Sequence, residues 1–360
     1  MSHQFPASEL ADRALLLATL PSLDTPHFLS PVIQAAATST RQRLVIVLFS
    51  RLFNDPLPSS TTAFRGISHT GRWDDVHRLL TYVYVQATKV AQDLDKVLMD
   101  VDVLLLGIDG EAPEDIGVGM DIVFRVAGDS IAVPLPASVT SVRQSFLLPG
   151  DRDGDHSSEP RLSSPEPQDQ GSLPPPPFFP VVALGGTFDH LHAGHKILLS
   201  MAAWIASQKI IVGVTDDVLL LKKSNQHILE RLPVRTQRVR DFLQLFCPGL
   251  IYDIVPITDV YGPTGWDPDV QALVVSRETI GGAESIATHR EAKGLPPLKT
   301  FIIDVISPSN ERIDHEDLEM LRQTKMSSTF IREWIVEKNK EEEEEGEEET
   351  RGPAMGIGRN

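Results

Sequence analysis

The sequence predicts an α/β protein, with a five-stranded parallel sheet in residues 178–340 and a smaller α/β region ahead of it. Three observations carry this. Residues 178–340 alternate short apolar, mostly β-branched runs with segments at helical spacing, and such alternation builds a parallel sheet with helices on both faces. Residues 149–177 hold few large apolar side chains and end in four prolines, so they read as a disordered Pro-rich linker. Residues 1–148 carry runs of both kinds but bring no chemistry-bearing residues together.

In the first region, Leu44–Phe49 is a continuous apolar run of the kind that forms a buried strand. From Trp73 to Leu98, apolar residues recur at Val76, Leu79, Leu80, Val83, Ala87, Val90, Leu94 and Val97, a helical repeat. Val101–Leu106 and Ile122–Val126 read as further strands. His69 and His77 are read as solvated or capping histidines rather than metal ligands. The role of this half is not stated by its sequence.

In the second region the strands are Val181–Leu184, Ile210–Val214, Asp253–Ile257, Ala272–Val275 and Phe301–Val305. Ile197, Leu198, Met201, Trp204 and Ile205 form one helical stripe. Val234–Phe246 is a second helix and Phe330–Lys338 a last one. Residues 341–349 read EEEEEGEEE and are expected as the start of an acidic, solvated, disordered tail, 341–360.

Composition narrows the function classes. The formal charge is −17. A chain this acidic lacks the clustered Lys and Arg that nucleic-acid phosphates and anionic membranes require, so neither is expected as a partner. Cys247 is the only cysteine, which excludes an intrachain disulfide and a Cys-based structural zinc site and fits a reducing compartment. No apolar run approaches the ~18 residues of a membrane span. Glu9 and Asp12 precede the apolar run Ala14–Leu20 with no basic segment, unlike a signal peptide. The expectation is a cytoplasmic chain, the nucleus included.

Ligands of parallel sheets sit beyond the carboxyl ends of the strands. After the first strand of the second region comes Gly185-Gly186-Thr187-Phe188-Asp189-His190-Leu191-His192-Ala193-Gly194-His195-Lys196. The glycines permit a tight turn close to a ligand, and Thr187 adds a hydroxyl. His192 and His195 fall at a helix start, where free N–H groups and the helix dipole favour an anion. His190, His192 and His195 with Asp189 also allow a metal cluster, but rings spaced H-x-H-x-x-H do not naturally share a face, and no acidic second strand end completes it. Lys325-Met326-Ser327-Ser328-Thr329-Phe330-Ile331-Arg332 opens the last helix. A cap needs only one hydroxyl, so three of them and an arginine read as a second phosphate cradle.

H-x-G-H after a first strand, with S-S-T-x-x-R opening a late helix, resembles the nucleotidyltransferases that share a core with class I aminoacyl-tRNA synthetases. GGTFDHLHAGHKILLS, VGVTDD, DVYGPTGWDPDVQALVVSRET and SSTFIR follow in order over about residues 180–338. Together they resemble the eukaryotic and archaeal type of phosphopantetheine adenylyltransferase, an enzyme of coenzyme A biosynthesis. The N-terminal half is only faintly similar to the leading region of eukaryotic CoA synthase. The resemblance implies a Rossmann-like domain and adenylyl transfer from ATP to 4′-phosphopantetheine, giving dephospho-CoA and pyrophosphate. No G-x-x-x-x-G-K-[ST] phosphate loop occurs, so a fungal-like, monofunctional type is implied, with association with other enzymes of the pathway as an expectation.

By the same resemblance, His195 meets the α-phosphate, His192 the adjacent phosphates and Thr187 the attacking phosphate, and Gly185, Gly186 and Phe188 are substrate- or nucleotide-binding residues of the same loop. Lys222, or Lys223, takes the basic role after the second strand. Arg290 meets phosphate. Ser327, Ser328 and Thr329 cradle the β- and γ-phosphates, with Arg332 nearby. Asp216 and Asp217 orient the loop or face solvent. Mg²⁺ comes with ATP, held by the triphosphate, and no protein metal site is expected. Relatives often have an acidic residue where Arg277 stands and an aromatic or basic one near Ile280, which leaves adenine and pantetheine contacts open there. The competing readings are a nucleotidyltransferase of the same fold acting on another phosphate monoester, and a non-catalytic scaffold of a coenzyme A assembly.

Overall fold

The computed structural model describes residues 10–54, 68–151, 176–303 and 327–351, with side chains through residue 344. The first half runs β1 (Ala11–Thr19), α1 (Ser30–Thr38), β2 (Thr40–Phe49), α2 (Trp73–Asp93), β3 (Asp100–Leu106), β4 (Ile122–Val126), α3 (Ala137–Thr140) and β5 (Arg143–Leu147). The second runs β6 (Phe179–Gly186), α4 (Ala193–Ile205), β7 (Ala206–Thr215), α5 (Leu232–Phe246), β8 (Ile251–Ile257), β9 (Ala272–Ser276), α6 (Ile280–Ala292), β10 (Lys299–Ile303) and α7 (Ser328–Arg351).

Both sheets are wholly parallel and have five strands. Their orders are β3-β2-β1-β4-β5 and β10-β9-β6-β7-β8. Counted from its own first strand, each half therefore winds out two strands to one side and two to the other. The region expected as smaller holds a sheet of equal strand number and the same winding. The strand order reverses between β6 and β9 in the second half, and ligands of such sheets bind beyond the carboxyl ends of the strands at that point.

Alternation along the strands decides where the cores lie. Val182, Leu184, Ile210, Val212 and Val274 face α4 and α5 and join one apolar core with the first half. Val181, Ala183, Ile211, Leu273 and Val275 face the other way and form a small core with Ala283 and Ile286 of α6. The shared core is riveted by aromatics. The His69 ring stacks on Trp204 at 3.6 Å and 5°, Phe53 meets Trp204 edge-on at 6.0 Å, and Trp73 lies 4.8 Å from Phe301. α2 packs along α4. The interface is continuous, although the linker reads as a boundary between separate units.

Of that linker, residues 152–175 lie outside the described residues, as do residues 304–326 and 352–360. α7 continues through the acidic run as far as Arg351, where the sequence suggests a disordered tail from residue 341. Glutamate is a good helix former, Lys338 pairs with Glu341, and residues 341–344 stay exposed on the helix.

Candidate active site

The loop leaving β6 is fixed by backbone strain and buried polar bonds. The tight turn expected at Gly185 and Gly186 falls later: both remain in β6, and Phe188 and His190 take up φ of 52° and 44°. Non-glycine residues enter that left-handed region at a cost of roughly 1–3 kcal/mol. The surroundings hold them there. Phe188 is fully buried. Asp189, also fully buried, accepts the Glu230 N–H at 2.9 Å. The His190 N–H donates to the Glu230 carboxylate, and its Nε2 to the Ile228 carbonyl, each at 3.0 Å. Gly186 is needed for a different reason, since a Cβ there would press on the Phe188 ring at 3.2 Å.

α4 starts directly after this loop. His192 is its N-cap, extended at φ −113° and ψ 174°, and makes no capping side-chain bond. The N–H groups of the first turn thus stay available to an anion. The His192 and His195 rings stack at 3.8 Å and 25°, and Phe188 lies 5.2 Å from His195. The Nδ1 atoms of both histidines are buried without a hydrogen-bond partner. Burial lowers the His195 pKa to about 4, against a smaller opposing pull from Asp189. Burial also pushes His192 well below its usual value, helped by the nearby His195, Lys196 and His190. Two neutral imidazoles therefore stand at a helix N-terminus at neutral pH.

The start of α7 meets the same loop. Ser328 Oγ donates to the Asp189 carbonyl at 2.7 Å. Arg332, 2% exposed, pairs with the Asp189 carboxylate and donates to the Ser224 carbonyl at 3.0 Å. Ser327 Oγ accepts the Phe330 N–H at 3.3 Å, and Thr329 Oγ1 accepts from Arg332 at 3.3 Å. A hydroxyl that accepts keeps its own hydrogen to donate. Ser327 and Thr329, both exposed, thus remain donors, whereas the Ser328 hydrogen is spent on Asp189.

Residues 183–334 match the cytidylyltransferase-like family. A Saccharomyces cerevisiae protein named phosphopantetheine adenylyltransferase is 44% identical over 43% of this chain and 48% of its own. The chain thus spans about half the length of that relative. A phosphopantetheine adenylyltransferase of Pyrobaculum aerophilum is 38% identical over 35% of this chain and 79% of its own. The chain belongs to the phosphopantetheine adenylyltransferase family. A solved protein of unknown function from Archaeoglobus fulgidus is 33% identical over 36% of this chain and 93% of its own, with a TM-score of 0.31.

Several residues that the family resemblance places on phosphate also have partners within the protein. Arg332 is committed to Asp189. Arg290, 1% exposed, donates from Nε to the Pro296 carbonyl at 2.8 Å and from Nη1 to those of Thr264 at 2.6 Å and Asp267 at 3.0 Å, while its Nη2 is buried without a partner. It clamps the loop beyond β8 from inside. Asp216 caps a short helical turn through Val218 N–H, and Asp217 accepts from Arg235 at 2.6 Å, so both orient the loop. Thr187 is half-buried, and Lys222 and Lys223 are both exposed in the turn after β7. Arg277 lies in a short helical turn directly after β9, and Ile280 opens α6. Among the described residues, no group of three or more His, Cys, Asp or Glu could hold a metal ion.

Three supporting residues escape a reading by motif: Asp189, Glu230 and Arg235. Arg235 is fully buried and donates to the carbonyls of Glu230 at 2.9 Å, Thr187 at 2.5 Å and Thr215 at 2.8 Å. It joins the carboxyl ends of β6 and β7. A signal for it existed: Arg235 lies on the apolar stripe of α5 with Val239, Phe242, Leu243 and Phe246, where an unpaired arginine is not tolerated.

Two sets of predictions arise here. Arg332→Met leaves Asp189 buried without its counter-ion and is expected to lower unfolding stability by about 3–5 kcal/mol. Thr329→Val keeps stability and raises the ATP KM. Denaturant titration beside steady-state kinetics checks both, and an Arg332→Met protein of wild-type stability contradicts the assignment. The second concerns acid. A histidine with a depressed folded pKa contributes stability that is fully present above its unfolded value of about 6.5. For His195 that contribution is lost as pH falls toward about 4. The Tm of His195→Gln, measured against pH, is expected to fall less steeply across this window than that of the wild type.

Proposed function

We propose that the site transfers the adenylyl group of ATP to 4′-phosphopantetheine, giving dephospho-CoA and pyrophosphate. A phosphate oxygen of 4′-phosphopantetheine forms a bond to the α-phosphorus. The bond from that phosphorus to the α,β-bridging oxygen breaks, and the electron pair leaves with pyrophosphate. The observation that carries the reading is the pair of stacked, neutral histidines at the open N-terminus of α4, joined through Asp189 to the hydroxyl-rich start of α7. Such a reaction asks the protein for alignment and for donors placed where charge develops.

The free N–H groups of α4 and a ring N–H of His195 stabilise the growing charge at the α-phosphorus. His192 holds the neighbouring phosphates. Ser327 and Thr329 offer donors to the β- and γ-phosphates, and Lys222 or Lys223 supplies a cation from the turn after β7. Thr187 meets the acceptor phosphate. Mg²⁺ enters as part of the nucleotide, neutralising triphosphate charge. A cytoplasmic setting and association with other enzymes of coenzyme A synthesis complete the proposal. No helix among the described residues is long and apolar enough to cross a membrane.

The test is pyrophosphate release from ATP and from CTP across a panel of phosphate monoesters that includes nicotinamide mononucleotide. Release with ATP and 4′-phosphopantetheine alone supports the reading. Preference for another acceptor or for CTP replaces it with another nucleotidyl transfer, and no release with any pair favours a scaffold.

A further inference from the structure

The first turn of α4 carries one residue that the proposed reaction does not use. Lys196 follows His195 and is 3% exposed. Its ammonium is held by Asp102 Oδ1 at 2.7 Å, by the Val101 carbonyl at 2.8 Å and by the Asp100 carboxylate. All three partners belong to β3 of the N-terminal half. On α5, the Phe242 ring centroid lies 5.6 Å from Nζ. Asp102, 2% exposed, also accepts twice from Arg43, at 2.7 and 3.1 Å. All three ammonium donors are thereby used, so the side chain is fixed in place.

The backbone of the same residue fixes the histidines. Lys196 N–H donates to the His192 carbonyl at 3.0 Å and so closes the first turn of α4. Lys196 is thus held from the N-terminal half by its side chain and holds the N-cap histidine by its main chain. The far end of α4 is also docked on that half, through Trp204 stacked on His69, but it lies three turns from the histidines. The two ends separate general adhesion from placement of the site.

We propose that Asp102 is a positioning residue of the active site: through Lys196 it sets where His192 and His195 stand. The N-terminal half then acts as a frame of the site. The role assigned rests on the adenylyl-transfer reading above.

The experiment compares Asp102→Asn and His69→Ala in the full chain. It reads kcat, ATP affinity by calorimetry, thermal unfolding and the imidazole NMR signals of His192 and His195. Displacement of a reacting group by about 1 Å costs up to about 10²-fold in rate. Asp102→Asn is therefore expected to lower kcat by about 10- to 100-fold, with ATP affinity within about threefold, and to shift both ring signals. His69→Ala is expected to lower the Tm while leaving kcat and the ring signals as in wild type. Wild-type kcat and ring signals in Asp102→Asn overturn the proposal, as does an equal loss of kcat in His69→Ala. Should Asp102→Asn not fold, the pair Asp102→Asn with Lys196→Met buries no lone charge, and wild-type kcat in that protein overturns the proposal equally. A wild-type chain without turnover on 4′-phosphopantetheine counts against the proposed reaction instead, and the ring signals then decide the positioning claim.

Discussion

His195→Ala is expected to lower kcat by about 10²–10³-fold while weakening ATP binding far less. The Nδ1 of His195 is buried without a partner in the free protein, and the ring is neutral, held there by burial that lowers its pKa to about 4. The ring is therefore already desolvated before charge develops at the α-phosphorus. An interaction made mainly in the transition state appears in kcat and not in ground-state affinity. Ser328→Ala is expected to behave differently, because its hydroxyl is spent on the Asp189 carbonyl. It should destabilise the joint between the loop and α7 more than it changes chemistry. Steady-state kinetics with separate calorimetry of ATP checks both. If His195→Ala abolishes ATP binding and keeps kcat at saturation near wild type, the assignment of His195 to the transition state is wrong.

Residues 176–351 expressed alone are expected to lose cooperative unfolding and to aggregate. A chain with a Pro-rich linker at 149–177 reads as two independent units, but α4 is covered by α2, and Trp204 and Phe301 are buried against the N-terminal half. An aromatic side chain buries about 200 Å². Uncovering half of each of these two exposes about 200 Å² in total, at about 25 cal/mol/Å² or about 5 kcal/mol. A domain has about 5–15 kcal/mol to lose. Lys196 is moreover left as a buried-type ammonium without Asp102. Co-expression with residues 10–151 should restore a single transition by calorimetry. A soluble fragment with a cooperative transition and the full chain's kcat would show that the halves are independent.

The parallel sheet of the second half was legible because its central strands, such as Ile210–Val214, are buried on both faces and read as short, mostly β-branched runs. β1 was not assigned from sequence: Ala14-Leu15-Leu16-Leu17-Ala18 is built of good helix formers, and only pairing with β2 and β4 makes it a strand. β5 is a half-exposed edge with little apolar signal. The histidine pair was legible because a strand, a turn and a helix start follow directly in the chain. The protein partners of Arg290 and Arg332 were not, because a sequence shows an arginine but not its partner. Those partners, Thr264, Asp267 and Asp189, lie 23 to 143 residues away. The frame supplied by Asp102 and Lys196, 94 residues apart, was hidden for the same reason.

The most direct measurement is product identification by mass spectrometry with the full chain, ATP and 4′-phosphopantetheine, quantified beside released pyrophosphate. The account predicts one dephospho-CoA for each pyrophosphate, with both falling together by about 10²–10³-fold in His195→Ala. Pyrophosphate released without dephospho-CoA, or dephospho-CoA formed at the wild-type rate by His195→Ala, would contradict it.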